Sequence, residues 1–421
     1  MSIIFAPITG KGGAVTTLRL SGPESFKIIE VMAGVLPPPR HTSLRRLRFE
    51  GRVLDEALVV IFPAPHSFTG EDVAEISIHG GRAVLAAVSN ALVALGARPA
   101  EPGEFSRRAF EAGRMDLLQA EAMADLIAAE TEAQRRQALE GHLPEACAAW
   151  RERLRHLMAR QEALIDFPDE DLPPEVEAEL QAEISALRDE MQAALHAAPA
   201  AERLREGLEF VILGLPNAGK STLLNALAGE EIAIVSEIPG TTRDAVGIRV
   251  DLGGVPVHLT DTAGLRETGD IIEAEGVRRA KAKAEKADFV ILVAALGEAF
   301  ASPPLGAPIL RVRTKSDIAE NTTEFSISAK TGRNMGQLRA RLAEAAAALT
   351  DCQGAAALSR PRQVACVRDT IQALDMALTL AEPELRGEEL RAAAQSLARL
   401  TGSIGVEEIL DAVFSGFCIG K

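Results

Sequence analysis

Residues 210–221 constrain the fold of this chain more than any other segment. They comprise four apolar residues, a turn containing glycine, and a sequence typical of a helix start. From Gly214 to Ser221 the spacing is G-x-x-x-x-G-K-S, the pattern of a phosphate-binding loop. The two glycines let backbone N–H groups turn towards phosphate oxygens in front of the positive end of a helix. The pattern therefore predicts a strand–loop–helix unit in which Lys220 contacts the β/γ-phosphates and Ser221 offers its hydroxyl to Mg²⁺. A structural glycine turn is the alternative interpretation.

Four polar segments follow this loop in the order expected of a nucleotide switch domain. They are residues 240–244 (GTTRD), 261–264 (DTAG), 314–317 (TKSD) and 328–330 (SAK). We expect the first to close over Mg²⁺ and the γ-phosphate, and Asp261 to be an acidic partner of Mg²⁺. Asp317 would accept two N–H bonds from guanine while the stem of Lys315 packs on the base. The backbone N–H of Ala329 would donate to guanine O6, so guanine is favoured over adenine.

Length and charge set limits on the rest of the chain. A chain of 421 residues accommodates two to four domains. Its formal net charge of −15 argues against a general electrostatic affinity for nucleic acid, so any RNA contact must be local or shared with a partner. The four cysteines lack paired metal-ligand spacing, which suits a reducing cytosol. We see no signal peptide, and the longest apolar run, residues 289–296, is too short to cross a membrane. A cytoplasmic protein without membrane contact is expected.

The sequence pattern changes along the chain. Residues 1 to about 113 alternate between predicted strands and helices, with strands at 14–21, 57–62 and 74–79 and a helix at 82–95. Helical periodicity then covers 116–165, with a break at 141–144, and a further helix is predicted over 175–196. Helical periodicity returns after Cys352, beyond the nucleotide-binding segments. Helical segments on both sides of an α/β unit indicate that this unit is inserted into one helical domain.

Several motifs outside the nucleotide segments give the chain a family resemblance. They are LRLS (18–21), SFTGED (67–72), HGG (79–81), PGEF (102–105), DLLQAEA (116–122), IDFP (165–168) and the terminal CIGK (418–421). Together with the nucleotide segments they resemble the tRNA-modification GTPases of the MnmE (TrmE) family over essentially the whole chain.

The resemblance implies a multidomain fold that combines α/β and all-α parts. Its domains would be an N-terminal α+β domain for tetrahydrofolate binding and dimerisation, an inserted Ras-like P-loop GTPase domain, and a helical domain in two parts. The corresponding boundaries are 1–115 for the N-terminal domain, 116–207 and 351–421 for the helical parts, and 208–350 for the G domain.

The resemblance also implies an activity. Members act as homodimers with the flavoprotein MnmG, in a heterotetramer, and place an aminomethyl or carboxymethylaminomethyl group on C5 of the wobble uridine (U34) of certain tRNAs. The one-carbon unit comes from a tetrahydrofolate derivative, of the 5-formyl or 5,10-methylene type, and GTP is hydrolysed with Mg²⁺ and K⁺. This chain has no flavin or nicotinamide fingerprint, so the redox step must belong to a partner.

Family positions supply the candidate binding residues. The expected GTP contacts are Asn217, Ala218, Gly219, Lys220, Ser221, Thr222, Ser236, Glu237, Ile238, Pro239, Gly240, Thr241, Thr242, Asp261, Thr262, Ala263, Gly264, Thr314, Lys315, Asp317, Ser328, Ala329 and Lys330. The expected Mg²⁺ ligands are Ser221 and Thr242. The expected K⁺ ligands are Asn217, Ser236, Ile238 and Thr241. The expected folate contacts are Arg19, Glu75, Arg114 and Lys421.

Three residues are expected to be catalytic: Lys220, Glu273 and Cys418. Many small G proteins place a glutamine directly after the D-x-x-G turn, but Leu265 stands there in this chain and cannot orient a water molecule. Glu273 is the candidate that replaces this glutamine. Four of the candidate residues named above also have a simpler interpretation. Glu273 and Arg114 would be solvated charges, Asn217 would be a turn residue, and Cys418 would be a small buried apolar residue.

One residue departs from the family pattern. Thr314 stands where relatives usually have asparagine, whose amide can bond both the base and the phosphate loop. We expect guanine selectivity to survive through Asp317 and the Ala329 N–H, with weaker nucleotide affinity.

Two other functions compete with the family assignment. The first is a GTPase switch in ribosome assembly, with no modification chemistry. The second is a stand-alone folate-dependent methyltransferase with a regulatory G domain. The N-terminal hundred residues and the CIGK terminus argue against the first. The second would need no flavoprotein.

Overall fold

The computed structural model divides into two compact units, Met1–Ala124 with Ala398–Lys421, and Asp125–Leu397. The structure describes residues 2–10, 12–166, 174–229, 247–261, 285–302, 306–318, 324–352, 356–403, 410, 413–417 and 420. Within these residues, no helix combines the length and apolar character needed to span a bilayer.

The first unit is built on a six-stranded sheet. Its strands are β1 (Ile4–Pro7), β2 (Val15–Ser21), β3 (Ser43–Phe49), β4 (Arg52–Phe62), β5 (Val73–His79) and β6 (Arg98–Pro99). They are arranged in the order β3-β4-β5-β2-β1-β6. All neighbours are antiparallel except β1 and β6, which run parallel. The strands predicted at 14–21, 57–62 and 74–79 correspond to β2, the second half of β4, and β5.

The two faces of this sheet differ in character. Alternate side chains of a strand point to opposite faces. On β2, Leu18 and Leu20 belong to the apolar core, whereas Arg19 between them is partly exposed. Helices α1 (Ser25–Ala33) and α2 (Arg82–Ala94) contribute Ile29 and Leu92 to the same core. The face that carries Arg19 is therefore the polar one.

The C-terminal segment packs within the first unit. Helices α3 (Glu104–Glu111) and α4 (Leu117–Ala128) follow β6, and Leu117 of α4 belongs to a small apolar cluster with Leu410, Phe414 and Phe417. The apolar spacing of this segment predicts such a buried face. Gly420 also lies against β1, because a Cβ added to it would be 2.4 Å from the carbonyl oxygen of Pro7.

The second unit combines helices with a mostly parallel sheet. Its helices are α5 (Glu132–Glu140), α6 (Leu143–Asp166), α7 (Pro174–Glu206), α8 (Lys220–Ala228), α9 (Met335–Leu349), α10 (Pro361–Thr379) and α11 (Pro383–Thr401), the last of which continues past the boundary of the unit. Helix α7 packs against α6 and α10. In the sequence, α6 precedes all five strands of this unit and α10 follows them. Trp150 of α6 is 1% exposed, and its Nε1 donates to Glu190 Oε1 of α7 at 2.7 Å.

Five strands form the sheet of the second unit. They are β7 (Leu208–Leu213), β8 (Gly247–Leu252), β9 (Val255–Asp261), β10 (Phe289–Ala295) and β11 (Ile309–Thr314). Their order is β11-β10-β7-β9-β8, and only the β8–β9 pair is antiparallel. Phe210 of β7 stacks on Phe289 of β10 with ring centroids 4.8 Å apart. The helical and α/β content agrees with the predicted fold class.

Two helix boundaries differ from the sequence prediction. The helical stretch predicted over 116–165 has a second break before α5, where Thr131 forms a capping box with Gln134. The helix predicted to end at His196 continues to Glu206 and contains Pro199. Burial explains the continuation, since Ala201 beyond the proline is 0% exposed and tertiary packing outweighs the local cost of proline.

Candidate functional site

The phosphate-loop residues have the strand–loop–helix geometry that their spacing predicts. Strand β7 ends at Leu213 and helix α8 begins at Lys220. Gly219 precedes α8 in the left-handed conformation at φ 88°, and Asn217 is also left-handed at φ 62°. The N-cap residue is Gly219, which has no side chain with which to cap α8. The first N–H groups of the helix therefore remain suited to bind an anion.

Gly214 is required by its close packing against β10. A Cβ added there would be 2.3 Å from the carbonyl oxygen of Val293 and 2.8 Å from its Cγ2, both on β10. Real side chains do not approach backbone so closely. The loop thus leaves the sheet along a path that only glycine permits.

The lysine and the serine of the loop, predicted to contact phosphate and Mg²⁺, each hydrogen-bond to neighbouring oxygen atoms. Lys220 is 7% exposed, and its Nζ donates to the carbonyl oxygens of Gly214 and Leu215 at 3.0 Å each. The ammonium group therefore lies across the loop in which a phosphate would sit. Ser221 Oγ donates to Asp261 Oδ2 at 2.5 Å, and Asp261 is the last residue of β9. A hydroxyl beside a carboxylate is an oxygen donor set that fits Mg²⁺.

The predicted guanine-binding segments lie close together. Ser328 is 1% exposed, and its hydroxyl donates to Asp317 Oδ1 at 2.7 Å. This hydrogen bond holds the pKa of Asp317 below its usual value, so the carboxylate is ionised and accepts hydrogen bonds. Thr331 N in turn donates to Ser328 Oγ at 3.2 Å. Ser326, two residues before Ser328, makes one parallel bridge to Arg313, which holds the segment that contains Ser328 beside β11.

Thr314 joins the base-binding segment to the phosphate loop. Its Oγ1 donates to the carbonyl oxygen of Ala218 at 2.6 Å. Gly219 lies beside it, since a Cβ added to that glycine would be 3.4 Å from Thr314 Oγ1. Thr314 thus makes a direct hydrogen bond from the end of β11 to the phosphate loop.

The first unit holds a second cluster of predicted site residues. Arg19 on β2 is the register partner of Glu75 on β5. Arg19 Nε and Nη2 both lie 2.9 Å from Glu75 Oε1. The guanidinium carbon is 4.6 Å from the ring centre of Phe68 and 5.8 Å from that of Phe105. Arg19 is therefore held between a carboxylate and two aromatic rings, and the contact fixes the orientation of both Arg19 and Glu75.

A buried ionic network connects the motifs around this pair. Ser21 Oγ donates to Glu71 Oε2 at 2.6 Å and lies 2.7 Å from Thr69 Oγ1. Arg108, 9% exposed, lies 3.0 Å from Glu71 and 2.9 Å from Glu104. The motifs at 18–21, 67–72 and 102–105 thus meet at one place. Sequence reasoning missed Phe68, Phe105 and Arg108, although the first two lie within quoted motifs.

The remaining predicted folate contacts make no described hydrogen bond to the Arg19–Glu75 pair, and several predicted residues lie outside the described part of the chain. Arg114 is exposed and lies beside Gly70, whose added Cβ would be 3.4 Å from Arg114 Cγ. The predicted residues outside the described ranges are Ser236, Glu237, Ile238, Pro239, Gly240, Thr241, Thr242, Thr262, Ala263, Gly264, Glu273, Cys418 and Lys421.

Comparison with known proteins covers both units. A family model described as MnmE helical domain matches residues 117–418, and one described as GTP-binding protein TrmE N-terminus matches residues 3–114. The chain is 59% identical to the tRNA modification GTPase MnmE of Acidiphilium cryptum, with 100% of this chain and 98% of the relative covered. It is 54% identical to the protein of that name from Gluconacetobacter diazotrophicus and 50% identical to that from Granulibacter bethesdensis. Those two alignments each cover 99% of this chain and 98% and 99% of the relatives.

The contact of Gly214 with β10 predicts a loss of stability that does not depend on nucleotide. Gly214→Ala should lower the free energy of unfolding of the nucleotide-free protein by about 1–3 kcal/mol, because the added methyl group overpacks against Val293. Urea denaturation measures this change. Gly336→Ala is the matched control, since Gly336 lies in α9 with nothing closer than 4.0 Å to an added Cβ. Equal unfolding midpoints for Gly214→Ala and wild type would contradict the packing argument.

Proposed function

Because this chain belongs to the MnmE (TrmE) family of tRNA modification GTPases, we propose that it modifies C5 of the wobble uridine of certain tRNAs. Together with the flavoprotein MnmG it adds an aminomethyl or carboxymethylaminomethyl group at U34. GTP hydrolysis accompanies the reaction, and a tetrahydrofolate derivative supplies the one-carbon unit.

The observation that carries this proposal is the Arg19–Glu75 cluster in the first unit. A nucleotide switch needs only the phosphate loop and the base-binding segments of the second unit. In this chain the motifs at 18–21, 67–72 and 102–105 also meet around the Glu75 carboxylate, which Arg19 orients. These motifs are far from the nucleotide segments in the sequence. A second ligand-binding site in the same chain supports a modification enzyme over a GTPase switch in ribosome assembly.

The nucleotide half of the proposal assigns roles to residues of the second unit. Lys220 binds the β/γ-phosphates, and the N–H groups at the start of α8 bind phosphate oxygens. Ser221, with Asp261 behind it, would hold Mg²⁺, which neutralises charge on the phosphates when bound. Asp317 accepts N–H bonds from guanine. This set fits GTP because Lys220 and Mg²⁺ would offset the negative charge of the phosphates, while the Asp317 carboxylate accepts the N–H donors of guanine.

The folate half rests on the free oxygen of Glu75. Arg19 bonds only Oε1, and no described residue donates to Oε2. That oxygen can accept an N–H from a pterin edge while Arg19 holds the carboxylate in place through Oε1. We assign Arg114 and Lys421 to the carboxylate end of the folate on charge. The docking of Gly420 against Pro7 supports a role for the terminal CIGK segment, including Cys418, because Pro7 is the register partner of Leu18, next to Arg19.

We assign GTP cleavage to a K⁺-assisted mechanism. Asn217 is exposed at the tip of the phosphate loop in a left-handed conformation, which leaves its side-chain oxygen available to a cation beside the phosphates. Ser236, Ile238 and Thr241 would complete the K⁺ site, Thr242 would join Ser221 at Mg²⁺, and Glu273 would position the attacking water. K⁺ placed there supplies the positive charge that an arginine supplies in other G proteins.

The proposal includes partners and a location. The chain acts as a homodimer whose first units associate, and its G domains pair during hydrolysis. MnmG joins it in a heterotetramer and supplies the flavin. The work takes place in the cytosol, where tRNA is found. The negative net charge of −15 implies that tRNA is held by local contacts or through the partner.

Nucleoside analysis of a deletion strain tests the proposed function. We expect the wobble-uridine modification to be absent from total tRNA and to be restored by the wild-type gene, as measured by mass spectrometry of tRNA digests. Normal modification together with defective ribosomal subunits would instead support the GTPase switch. Product formed from purified protein, folate and tRNA without flavoprotein would support the stand-alone methyltransferase.

Folate binding should be separable from GTP hydrolysis. Glu75→Gln removes the charge that pairs with Arg19 and with the pterin N–H groups, so tetrahydrofolate affinity in calorimetry should fall roughly tenfold to a hundredfold. GTP hydrolysis should stay near the wild-type rate. Glu56→Gln is the matched control, because Glu56 pairs with Arg46 across β3 and β4 at 2.6 Å but is half exposed. Unchanged folate affinity in Glu75→Gln would remove Glu75 from the site.

Hydrolysis should depend on the monovalent cation. We expect it to be strongly faster in K⁺ than in Na⁺, with Rb⁺ resembling K⁺ because of its similar size, and to rise with protein concentration as G domains pair. Asn217→Ala should still bind GTP but lose the K⁺ response, and Glu273→Ala should lose turnover in every salt. Phosphate release measures these rates. Equal wild-type rates in K⁺ and Na⁺ would rule out the cation mechanism.

A further inference from the structure

The side chain of Thr314 has a single hydrogen-bond donor, and the phosphate loop already occupies it. Thr314 is 5% exposed at the end of β11, and its Oγ1 donates to the Ala218 carbonyl at 2.6 Å. A second carbonyl, that of Ala294, lies 3.4 Å from the same oxygen. Both neighbours are acceptors. The hydroxyl proton is therefore held between backbone oxygens inside the protein, and it would have to leave a short buried bond to reach a ligand.

Guanine offers different groups along its two edges. N1–H and the N2 amino group are donors, which suit the Asp317 carboxylate, and O6 is an acceptor, which suits the Ala329 N–H. N7 is also an acceptor, so a protein group can hydrogen-bond to it only as a donor. An asparagine amide at position 314 has two protons and can serve both the Ala218 carbonyl and N7. The threonine hydroxyl has one, and its remaining group is a methyl.

We propose that this chain binds guanine nucleotides without a hydrogen bond to N7 of the base, and that Thr314 is the residue responsible. The inference rests on the proposed assignment of Asp317 and Ala329 to the base. In this arrangement Thr314 lowers the affinity for nucleotides without changing the preference for guanine. Adenine and hypoxanthine also carry N7, so losing that contact weakens all purine nucleotides alike and leaves the preference for guanine with Asp317. The Thr314–Ala218 hydrogen bond still holds the base-binding segment against the phosphate loop.

Calorimetry with GDP and 7-deaza-GDP, in which a C–H replaces N7, tests this inference on the full chain with Mg²⁺. The wild type should bind the two nucleotides with equal affinity. Thr314→Asn should bind GDP more tightly than 7-deaza-GDP by about 2- to 13-fold, the value of one neutral hydrogen bond. Thr314→Val removes the hydroxyl and should weaken both nucleotides equally. A wild-type preference for GDP over 7-deaza-GDP of threefold or more would overturn the inference, as would a Thr314→Asn variant with no preference.

Two controls separate this inference from the proposed function. IDP lacks the N2 amino group, so it should bind more weakly than GDP if Asp317 recognises the base. Equal binding of IDP and GDP would overturn the base assignment itself, whatever the result with 7-deaza-GDP. Ser316→Ala removes another buried hydroxyl of the same segment, whose Oγ has no partner among the described residues. It should leave the ratio of GDP to 7-deaza-GDP affinity at the wild-type value. A change in that ratio would assign the N7 environment to Ser316 and overturn the role of Thr314.

Discussion

The parallel pairing of β7 with β9 and β10 is the constraint on which the nucleotide site depends. Phe210 of β7 lies opposite Leu259 of β9 and Phe289 of β10. Because the three strands run in the same direction, their carboxyl ends meet at one edge of the sheet. The phosphate loop leaves β7 at that edge, and Asp261 ends β9 there, within hydrogen-bond distance of Ser221. Close packing also dictates the glycine at position 214.

Strand register has the same importance in the first unit, with antiparallel strands. Arg19 and Glu75 lie far apart in the sequence but directly opposite each other on β2 and β5. Arg19 Nε and Nη2 both lie 2.9 Å from Glu75 Oε1, so each side chain fixes the orientation of the other. The rings of Phe68 and Phe105 enclose the guanidinium from the loop and from α3. The result is a carboxylate on the polar face of the sheet, with one oxygen to which no residue of the described ranges donates.

The sequence predicted local features well and long-range partners poorly. Spacing and periodicity within short windows of sequence predicted the phosphate loop, most of the strands and the helical segments. The continuation of α7 through Pro199 was missed because burial of its flanking alanines depends on other helices. Arg108 was missed because an isolated arginine in a sequence has the appearance of a surface charge. Only the fold shows that two carboxylates, Glu71 and Glu104, surround it.

The sequence by itself determined the kind of chemistry: a phosphate loop, a carboxylate for guanine, a family of motifs shared with tRNA modification GTPases. Those features depend on residue type and short spacing, which a chain displays directly. The tertiary structure decided which atoms are engaged and which stay free. Thr314 and Ala218 are 96 positions apart, so no spacing rule relates them, and the same holds for Arg19 and Glu75. A donor's partner depends on which strand ends share an edge and which residues face each other across a sheet, and only folding sets those neighbours.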